Sequence, residues 1–379
     1  MKIGFDAKRA FCNQTGLGNY SRNLILILSK WYSDCGLLLF SPKNKENSKL
    51  KPILAQKNVT TFFPTGLRRR FSSLWRMFGM VADIKKANLD LFHGLTNELP
   101  IGIKSAAVTS VVTIHDLIFL RFPHLYPFFD RLIYRFKVGY ACRNADKIIA
   151  ISECTKRDII AFYHIPPSKI EVIYQGYNAV FQHKISEQEK NNILKKYQLQ
   201  SGFILNVGTI EARKNLLLIV KALRELPQSV HLVAIGKSTS YQKKIEKYAR
   251  ENGLTDRIHL LHNITFEELP TFYQSSSVFV YPSYYEGFGI PILEAISSGV
   301  PVVAATGSCL EEAGGNGAIY VNPDDEKMLS EAIMSILNNE NLRTKLLENG
   351  KKHIEQFSDM EIAKKIMHLY QSLCQPFQP

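Results

Sequence analysis

The sequence predicts an α/β protein of two domains, each built on a parallel β-sheet. Short apolar runs alternate with longer stretches of helical periodicity, as a parallel sheet with crossover helices requires. The same alternation starts again in the second half of the chain. With 379 residues, of which 45% are apolar, the chain is long enough for about two packed domains.

In the first half, the opening run from Lys2 to Asp6 is predicted as a strand that leads through a glycine loop into a helix near Leu17. Four more apolar runs are predicted strands: Gly36–Phe40, Val108–Ile114, Lys147–Ile151 and Ile170–Ile173. A turn-rich segment and a polar helical pattern follow. We therefore place a domain boundary after residue 182, with the first domain at 1–182.

The second half repeats this order. Its predicted strands are Phe203–Val207, His231–Ile235, Ile258–Leu261, Val278–Tyr281 and Val300–Ala304. Helical periodicity follows at 325–338 and 342–357, and residues 360–373 form an amphipathic pattern. We assign 183–357 to the second domain and 358–379 to a C-terminal helical segment.

Composition excludes several classes of protein. No apolar run approaches the roughly 20 residues of a membrane-spanning helix, and the start of the sequence does not have the pattern of a signal peptide. The six cysteines are scattered, without zinc-ligand spacing. We therefore expect a cytoplasmic protein with reduced thiols, without a bound metal or other cofactor.

The net charge of +13 is unevenly distributed. Residues 1–180 hold 26 Lys and Arg against 12 Asp and Glu, whereas residues 181–379 hold 21 against 22. A basic first half indicates an anionic partner, either a phospholipid surface at the inner face of the cell membrane or a phosphorylated substrate. We do not expect nucleic acid, because no zinc-finger, bZIP or RNP-type pattern is present.

A glycine-containing loop joins two glutamates after the predicted strand 278–281. Glu286 is followed by Gly287, Phe288, Gly289 and Ile290, and Glu294 lies eight positions after Glu286. Pro291 suits a helix start, which places Glu294 in the opening helical turn. Both carboxylates would then lie at the carboxyl end of the sheet, where ligands bind. The alternative is an ordinary glycine turn with a glutamate that complements the helix dipole.

Two other loops of the same kind follow predicted strands. Gly208 leads to Arg213 and Lys214, a cationic pair suited to a diphosphate and unfavourable to the dipole of a helix start. Gly16 and Gly18 would let the backbone approach a ligand, although a tight turn explains them equally well.

Titratable residues end two runs of the first half. His115 and Asp116 follow the strand predicted at 108–114 and could face a ligand, or could be satisfied turn residues. His93 ends another short run and is interpreted as structural or acceptor-facing.

Residues 68–82 combine four arginines with an apolar helical stripe. The stripe consists of Phe71, Leu74, Trp75, Phe78, Val81 and Ala82. Such a helix could lie on an anionic membrane, or it could pack on the sheet of the first domain.

The motifs together resemble the retaining glycosyltransferases of glycosyltransferase family 4. The resemblance implies a GT-B fold, with two Rossmann-like, doubly wound domains facing across a cleft and a C-terminal helix that crosses back to the first domain. It also implies that Glu286, with the backbone of Phe288, Gly289 and Ile290, contacts the donor sugar.

The same resemblance assigns the remaining roles. Glu294 would hold the ribose, Arg213 and Lys214 the diphosphate, and His115 would contact the donor sugar. Many family members place Arg directly after the glycine, where this chain has Thr209, so Arg213 carries over less firmly than Lys214.

The expected activity is transfer of a sugar, with retention and without a metal, from a nucleotide diphosphate sugar to a saccharide or lipid-linked acceptor. Guanosine diphosphate mannose is the favoured donor, because the segment from Gly208 to Asn215 resembles mannosyltransferases of surface polysaccharides such as lipopolysaccharide and capsule. Two alternatives remain: an epimerase or phosphorylase of the same fold, and a non-catalytic protein that binds sugars or polyanions.

Overall fold

The chain folds into two units, seen in a computed structural model that describes residues 1–45 and 48–374. The first unit comprises the described residues of 1–175 and 359–374, and the second comprises Gly176–Ser358. Among the described residues, the first unit holds a parallel sheet of seven strands and the second a parallel sheet of six. The predicted α/β class with two Rossmann-like domains is confirmed.

The first unit has the strand order β3-β2-β1-β4-β5-β6-β7. Its strands are β1 (Lys2–Asp6), β2 (Gly36–Phe40), β3 (Val59–Phe62), β4 (Leu91–Gly94), β5 (Thr109–Ile114), β6 (Lys147–Ala150) and β7 (Ile170–Val172). Its helices, up to the start of the second unit, are α1 (Lys8–Cys12), α2 (Gly16–Trp31), α3 (Lys51–Leu54), α4 (Leu67–Arg70), α5 (Ser72–Leu74), α6 (Met80–Lys86), α7 (Ile118–Arg121), α8 (Phe128–Asn144) and α9 (Glu153–Tyr163). The strand order reverses at β1, where open α/β sheets bind ligands.

Both faces of this sheet are buried. Neighbouring residues of β5 point to opposite faces, so that Val111 packs in a cluster with Ile25 of α2. Val112 packs in a different cluster with Ala141 of α8. Continuous apolar strands of this kind are typical of a parallel sheet covered by helices on both sides.

The second unit has the strand order β10-β9-β8-β11-β12-β13. Its strands are β8 (Phe203–Val207), β9 (Leu232–Ile235), β10 (Ile258–Leu261), β11 (Ser276–Tyr281), β12 (Val302–Ala305) and β13 (Ala318–Val321). Its helices are α10 (Glu187–Lys196), α11 (Leu216–Ala222), α12 (Gln242–Glu251), α13 (Leu269–Gln274), α14 (Ile290–Ser297), α15 (Leu310–Gly314), α16 (Glu326–Asn338) and α17 (Glu340–Ile354). The strand order reverses at β8, whose carboxyl end leads to Arg213 and Lys214.

The last helix, α18 (Asp359–Cys374), belongs to the first unit. Its apolar side chains Ile362, Ile366 and Tyr370 are buried in the same cluster as α2. The Tyr370 hydroxyl also lies 2.6 Å from Nδ1 of His93 in β4. The C-terminal helix therefore completes the core of the first unit, while residues 375–379 of the predicted C-terminal segment lie outside the described residues.

The boundary between the units falls after residue 175 rather than after residue 182. The intervening segment goes with the second unit because Phe181 is buried there, with its ring edge-on to Phe266 and Tyr273. The Ser298 hydroxyl also donates to the Phe181 carbonyl at 3.2 Å. A turn-rich sequence marked the region of the boundary, and the contacts of Phe181 show that its segment packs with the second unit.

The single apolar stripe predicted for 68–82 is wrong. The segment is divided into α4, α5, a π-helical turn at Trp75–Gly79 and α6. Trp75 and Val81 are buried in the core, whereas Phe71 is exposed. The break at Phe71 between α4 and α5 and the π-helical turn both change the periodicity, so residues that a regular helix would place on one face separate into a buried and an exposed set.

Candidate functional site

A cluster of charged side chains lies at the carboxyl end of the second sheet. The Glu286 carboxylate contacts Arg213 Nη1 at 2.8 Å through Oε2 and Lys214 Nζ at 2.8 Å through Oε1. The Tyr281 hydroxyl lies 2.7 Å from Lys214 Nζ and 3.1 Å from Glu286 Oε1. We call these four residues, Glu286, Arg213, Lys214 and Tyr281, the Glu286 cluster.

The cluster is charged throughout the physiological pH range. Burial alone would raise the pKa of Glu286, but the neighbouring Lys214 and Arg213 outweigh it and lower the pKa to about 2. Burial would lower the pKa values of Lys214 and Arg213, and the Glu286 carboxylate raises both of them above their usual values. The Glu286 carboxylate thus contacts two cations in a largely buried site.

Backbone contacts hold Arg213 against the loop that carries Glu286. The Arg213 carbonyl accepts a hydrogen bond from the Tyr284 amide at 2.9 Å, and the Arg213 guanidinium donates to the Tyr285 carbonyl. Glu211 pairs with the same guanidinium at 2.6 Å. The loop after β8 and the loop after β11 therefore form one structure.

Two glycines allow the β8 loop to take this path. Gly208 has a φ of +152°, and a Cβ there would lie 3.1 Å from Lys214 Cδ. A Cβ on Gly236, which follows β9, would lie 1.8 Å from the Gly208 carbonyl oxygen. The close approach of these two backbones positions the Lys214 side chain.

Hydrogen bonds from Cys309 and packing of Phe288 hold the loop from Glu286 to Ile290 in place. The Cys309 thiol donates to the carbonyls of Glu286 and Phe288, at 3.1 and 2.6 Å. The Phe288 ring is buried against Phe357, so its side chain belongs to the core and only its backbone can face a ligand. Gly289 allows a close approach, because a Cβ there would lie 2.9 Å from Ala313 Cβ.

Glu294 has a different environment from Glu286. It is the fifth residue of α14, in the second helical turn and not in the opening turn that the sequence predicted. Its Oε2 accepts a hydrogen bond from the Tyr273 hydroxyl at 2.9 Å. Burial raises the pKa of Glu294 to about 7, and the hydrogen bond from Tyr273 opposes this shift only in part.

His115 lies at the end of β5 in the first unit, with its ring buried. Its Nε2 lies 3.0 Å from the Leu95 carbonyl, and its Nδ1 lies 3.0 Å from the Gln175 amide nitrogen. Because a carbonyl only accepts and an amide nitrogen only donates, Nε2 carries the proton. Burial lowers the pKa of His115 to about 4, so the ring is neutral at pH 7 and both nitrogens are engaged.

Asp116 turns the chain after β5. Its Oδ1 accepts from the Ile118 amide at 3.1 Å, next to the start of α7. His93 is buried in β4, with Tyr370 on one ring nitrogen and Thr113 Oγ1 at 2.8 Å from the other. These contacts give His93 a structural role, which was one of its two predicted roles.

Gly16 and Gly18 lie in the first turn of α2 and not, as the sequence predicted, in a loop before it. The Gly18 amide donates to the Thr15 carbonyl at 2.9 Å and lies 3.2 Å from Asn13 Oδ1. A Cβ on Gly18 would lie 2.1 Å from the Asn13 carbonyl oxygen, so this glycine is required by the turn. Gly16 is exposed with open space around it and stays a predicted ligand contact.

The structure therefore brings together Arg213, Lys214, Glu286 and Gly208. Glu294 has its own partner in Tyr273, and His115, Asp116, Gly16 and Gly18 belong to the first unit. Their assignment as ligand contacts stays a prediction. The sequence reasoning missed Tyr281, which reads as an ordinary strand residue although it is the last residue before the Glu286 loop.

Two further features concern metals and membranes. Within residues 1–45 and 48–374, no group of three or more His, Cys, Asp and Glu side chains is arranged to hold a metal ion. In the same part of the chain, no helix combines the length and apolar character needed to cross a bilayer.

Solved structures of similar fold cover almost the whole chain. HepE of Anabaena, solved in complex with UDP, is 20% identical with a TM-score of 0.75, and the alignment covers 98% of this chain and 100% of HepE. WaaG, a glycosyltransferase involved in lipopolysaccharide biosynthesis, is 17% identical with a TM-score of 0.69, covering 98% and 99% of the two chains. These likenesses identify the GT-B fold.

Sequence comparisons identify relatives and family models. The O-antigen chain mannosyltransferase RfbU of Salmonella typhimurium is 31% identical over 59% of this chain and 60% of its own length. The O-antigen chain mannosyltransferase B of Escherichia coli is 29% identical over 75% of this chain and 74% of its own length. Residues 187–353 match the model for glycosyl transferases group 1, and residues 16–180 match the model for Glycosyltransferase Family 4. The chain belongs to the family 4, group 1 glycosyltransferases.

Proposed function

We propose that this protein is a retaining glycosyltransferase that moves a sugar from a nucleotide diphosphate sugar to an acceptor hydroxyl during polysaccharide or glycolipid assembly. The observation that carries the proposal is the Glu286 cluster, in which the Glu286 carboxylate contacts two largely buried cations, Arg213 and Lys214, at a ligand-binding edge of the sheet. Family membership supports the reaction class.

The diphosphate of the donor would lie against Arg213 and Lys214. The planar guanidinium can bridge two phosphate oxygens, and the ammonium adds a point charge that stabilises the departing nucleotide. Fixed cations of this kind can supply the charge stabilisation that a metal ion provides elsewhere, so we propose transfer without a metal. Glu294 would accept hydrogen bonds from the ribose, and the backbone from Phe288 to Ile290 would contact the sugar.

The environment of Glu286 favours a reaction on one face of the sugar. A carboxylate whose two oxygens are bound to cations is a weak nucleophile, which argues against a covalent glycosyl intermediate. In the same-face route, the bond from the anomeric carbon to the phosphate oxygen breaks while the acceptor oxygen bonds to that carbon. The acceptor proton then passes to the departing phosphate.

Guanosine diphosphate mannose is the proposed donor. Two relatives at about 30% identity are named as O-antigen chain mannosyltransferases, which supports mannose and an acceptor in surface-polysaccharide assembly. A thermal-shift comparison of guanosine, uridine, adenosine and thymidine diphosphates tests the base, because a specific ligand stabilises the folded protein by mass action. Stabilisation by a different nucleotide, with none by guanosine diphosphate, would contradict the proposed donor.

The first unit would present a saccharide or lipid-linked acceptor at a membrane. It carries the basic excess of the chain. Helix α8 exposes Phe128, Phe129, Leu132 and Ile133 next to Arg131 and Arg135, a pattern suited to an anionic bilayer. Co-flotation with anionic vesicles and absence of flotation with neutral ones is the expected result, and equal behaviour with both would contradict it.

Product analysis distinguishes the proposed reaction from its alternatives. A transferase releases nucleoside diphosphate in proportion to acceptor glycosylation. An epimerase converts the donor without an acceptor, and a phosphorylase transfers glycosyl groups to or from phosphate. A binding protein converts neither the donor nor the acceptor. We expect the release of guanosine diphosphate to rise in proportion to the amount of glycosylated acceptor. We also expect NMR of the product to show that the anomeric configuration of the sugar is retained. Donor conversion that is independent of acceptor would contradict the proposal.

A further inference from the structure

The first unit contains a cavity of about 300 Å³, and none of the predicted site residues lines it. Asp6 at the end of β1, Lys43 after β2 and Glu98 after β4 line this cavity. In the sheet, β1 lies between β2 and β4, so the cavity is at the position where the strand order reverses. Ligand sites of open α/β sheets lie at such positions.

The cavity has an excess of positive charge. Its charged lining residues are Lys8, Lys43, Lys45, Arg76 and Lys137 against Asp6 and Glu98. Both carboxylates already form ion pairs with Arg76, which is buried between them. Arg76 Nη2 lies 2.7 Å from Asp6 Oδ2, and Nη1 is paired with Glu98. Lys137 shares the Glu98 carboxylate at 3.4 Å. The lysines at positions 8, 43 and 45 are left to attract a ligand.

Lys8 is the most informative of these cations. Its side chain is partly buried, and no hydrogen bond or ion pair joins its ammonium to another residue within the described part of the chain. Burial, together with the nearby Arg76, lowers the pKa of Lys8, and the Glu98 carboxylate opposes this shift only in part. A bound anion would supply the missing partner.

One wall of the cavity is apolar and continues onto the surface. Met77, Leu99, Pro100 and Ile101 line it, and the rings of Phe136 and Tyr140 are stacked with centroids 6.5 Å apart. Phe136 is 57% exposed and lies on α8, the helix with the exposed aromatic and aliphatic residues. A ligand with a charged head and an apolar chain matches both the lysines and this wall.

We propose that this cavity, which we call the lysine pocket (the residues lining it around Lys8, Lys43 and Lys45), binds the phosphate or diphosphate head of an anionic amphiphile. Resting on the proposed function, we identify this ligand as the lipid-linked end of the acceptor. The volume suffices for a diphosphate and part of an attached sugar, while the chain leaves along Phe136. The pocket thereby sets the acceptor class of the enzyme.

The test measures binding to the full chain by calorimetry with three probes: a ten-carbon prenyl diphosphate, inorganic diphosphate and the neutral ten-carbon prenol. We expect the prenyl diphosphate to bind most tightly, because it alone satisfies both the lysines and the apolar wall. Lys8→Gln should weaken its binding about tenfold or more, as expected for loss of a charged hydrogen-bonding partner. The exposed Lys85→Gln on α6 is the matched control and should leave binding unchanged.

A second variant separates the two parts of the ligand. Phe136→Ala should weaken binding of the prenyl diphosphate several-fold and leave inorganic diphosphate unaffected. Equal affinity of wild type, Lys8→Gln and a Lys43→Gln/Lys45→Gln double variant for the prenyl diphosphate would overturn the proposal. Equal affinity of wild type for inorganic and prenyl diphosphate would also overturn it, since the pocket would then be a free-phosphate site.

Donor binding distinguishes failure of this inference from failure of the proposed function. Thermal stabilisation by nucleoside diphosphate depends on the second unit and should be the same in wild type and Lys8→Gln. Prenyl diphosphate binding without any donor-dependent transfer would refute the proposed function and leave the pocket intact. Transfer to an acceptor that does not depend on Lys8, Lys43 or Lys45 would refute the pocket and leave the transferase intact.

Discussion

Glu286 and Glu294 are eight positions apart and differ in their protonation behaviour. Two cations hold the pKa of Glu286 at about 2, whereas burial raises the pKa of Glu294 to about 7. Glu286 is therefore a permanent anion that orders Arg213 and Lys214. Glu294 changes its charge within the physiological pH range, and only its ionised form accepts hydrogen bonds with both oxygens.

This difference predicts that donor binding depends on Glu294 and on pH. At pH 6 a carboxyl group with a pKa of about 7 is mostly protonated, and at pH 8 it is mostly ionised. The affinity for a nucleotide sugar should therefore rise several-fold, and at most about tenfold per pH unit, between pH 6 and 8. Calorimetric titration of the donor at several pH values measures this change.

The control for that prediction is Glu294→Gln, which keeps the shape of the side chain and removes its titration. Its affinity should be low and should not change between pH 6 and 8. A wild-type affinity that is constant over this range, or a Gln variant with the same pH dependence as wild type, would show that Glu294 does not hold the ribose.

The sequence could identify only those site residues that belong to a short, recognisable motif. Arg213, Lys214 and Glu286 lie in glycine-containing loops that follow apolar runs, where a parallel sheet places ligand-binding loops. Tyr281 has no such signal, because a strand tyrosine usually reads as core. The residues of the lysine pocket come from segments far apart in sequence, and only the fold brings Lys8, Lys43 and Lys137 to one cavity.

At the level of elements, two loops of the second unit hold the cationic pair in place. The loop after β8 passes so close to the end of β9 that Gly236 cannot carry a side chain without displacing Gly208. The loop after β11 is anchored to Arg213 through the Tyr284 amide. The position of Lys214 therefore depends on a backbone contact remote from the donor itself.

Gly236→Ala tests this dependence. The added methyl group would lie 1.8 Å from the Gly208 carbonyl oxygen, so the β8 loop must shift and carry Lys214 with it. We expect donor affinity to fall about tenfold or more, since small misplacements of charged groups are costly. Gly36→Ala in β2 is the matched control, because its nearest neighbour would be Lys2 Cγ at 4.0 Å. Equal donor affinity in wild type and Gly236→Ala would contradict the account.

Central strands were predictable from sequence, and two edge strands were not. Strands β1, β2 and β8 agree with their predicted bounds, because a strand buried on both faces is a continuous apolar run. Strand β3 lies at an edge and its middle residues, Thr60 and Thr61, are exposed, so no apolar run marks it. Strand β13, at the edge of the second sheet next to β12, was also missed.

At the scale of the whole molecule, the chain divides its chemistry between two units of the same fold class. The second unit is nearly neutral and carries the Glu286 cluster, which suits a site where fixed cations are balanced until a donor binds. The first unit is basic and carries the lysine pocket and the exposed face of α8. Helix α18 returns to complete its core through Ile366 and Tyr370, so the first unit depends on both ends of the chain.

The central claim is that the Glu286 cluster stabilises the departing nucleotide, and steady-state transfer kinetics of two variants test it most directly. Lys214→Ala should lower kcat/KM by about 10²–10³-fold and weaken donor binding, because it removes a charge that faces the diphosphate. Glu286→Gln should lower kcat by a similar factor while nucleotide binding persists, because both cations remain but lose the anion that orders them. Circular dichroism at the assay temperature verifies that both variants are folded.

Lys221→Ala, which alters a partly exposed lysine of α11 paired with Glu326 at 3.7 Å, is the matched control. Its transfer rate should stay within about twofold of wild type, as expected for a surface ion pair. Transfer by Lys214→Ala and Glu286→Gln at the wild-type rate would contradict the account. Loss of transfer in these two variants, with normal transfer by Lys221→Ala, is the result that the account predicts.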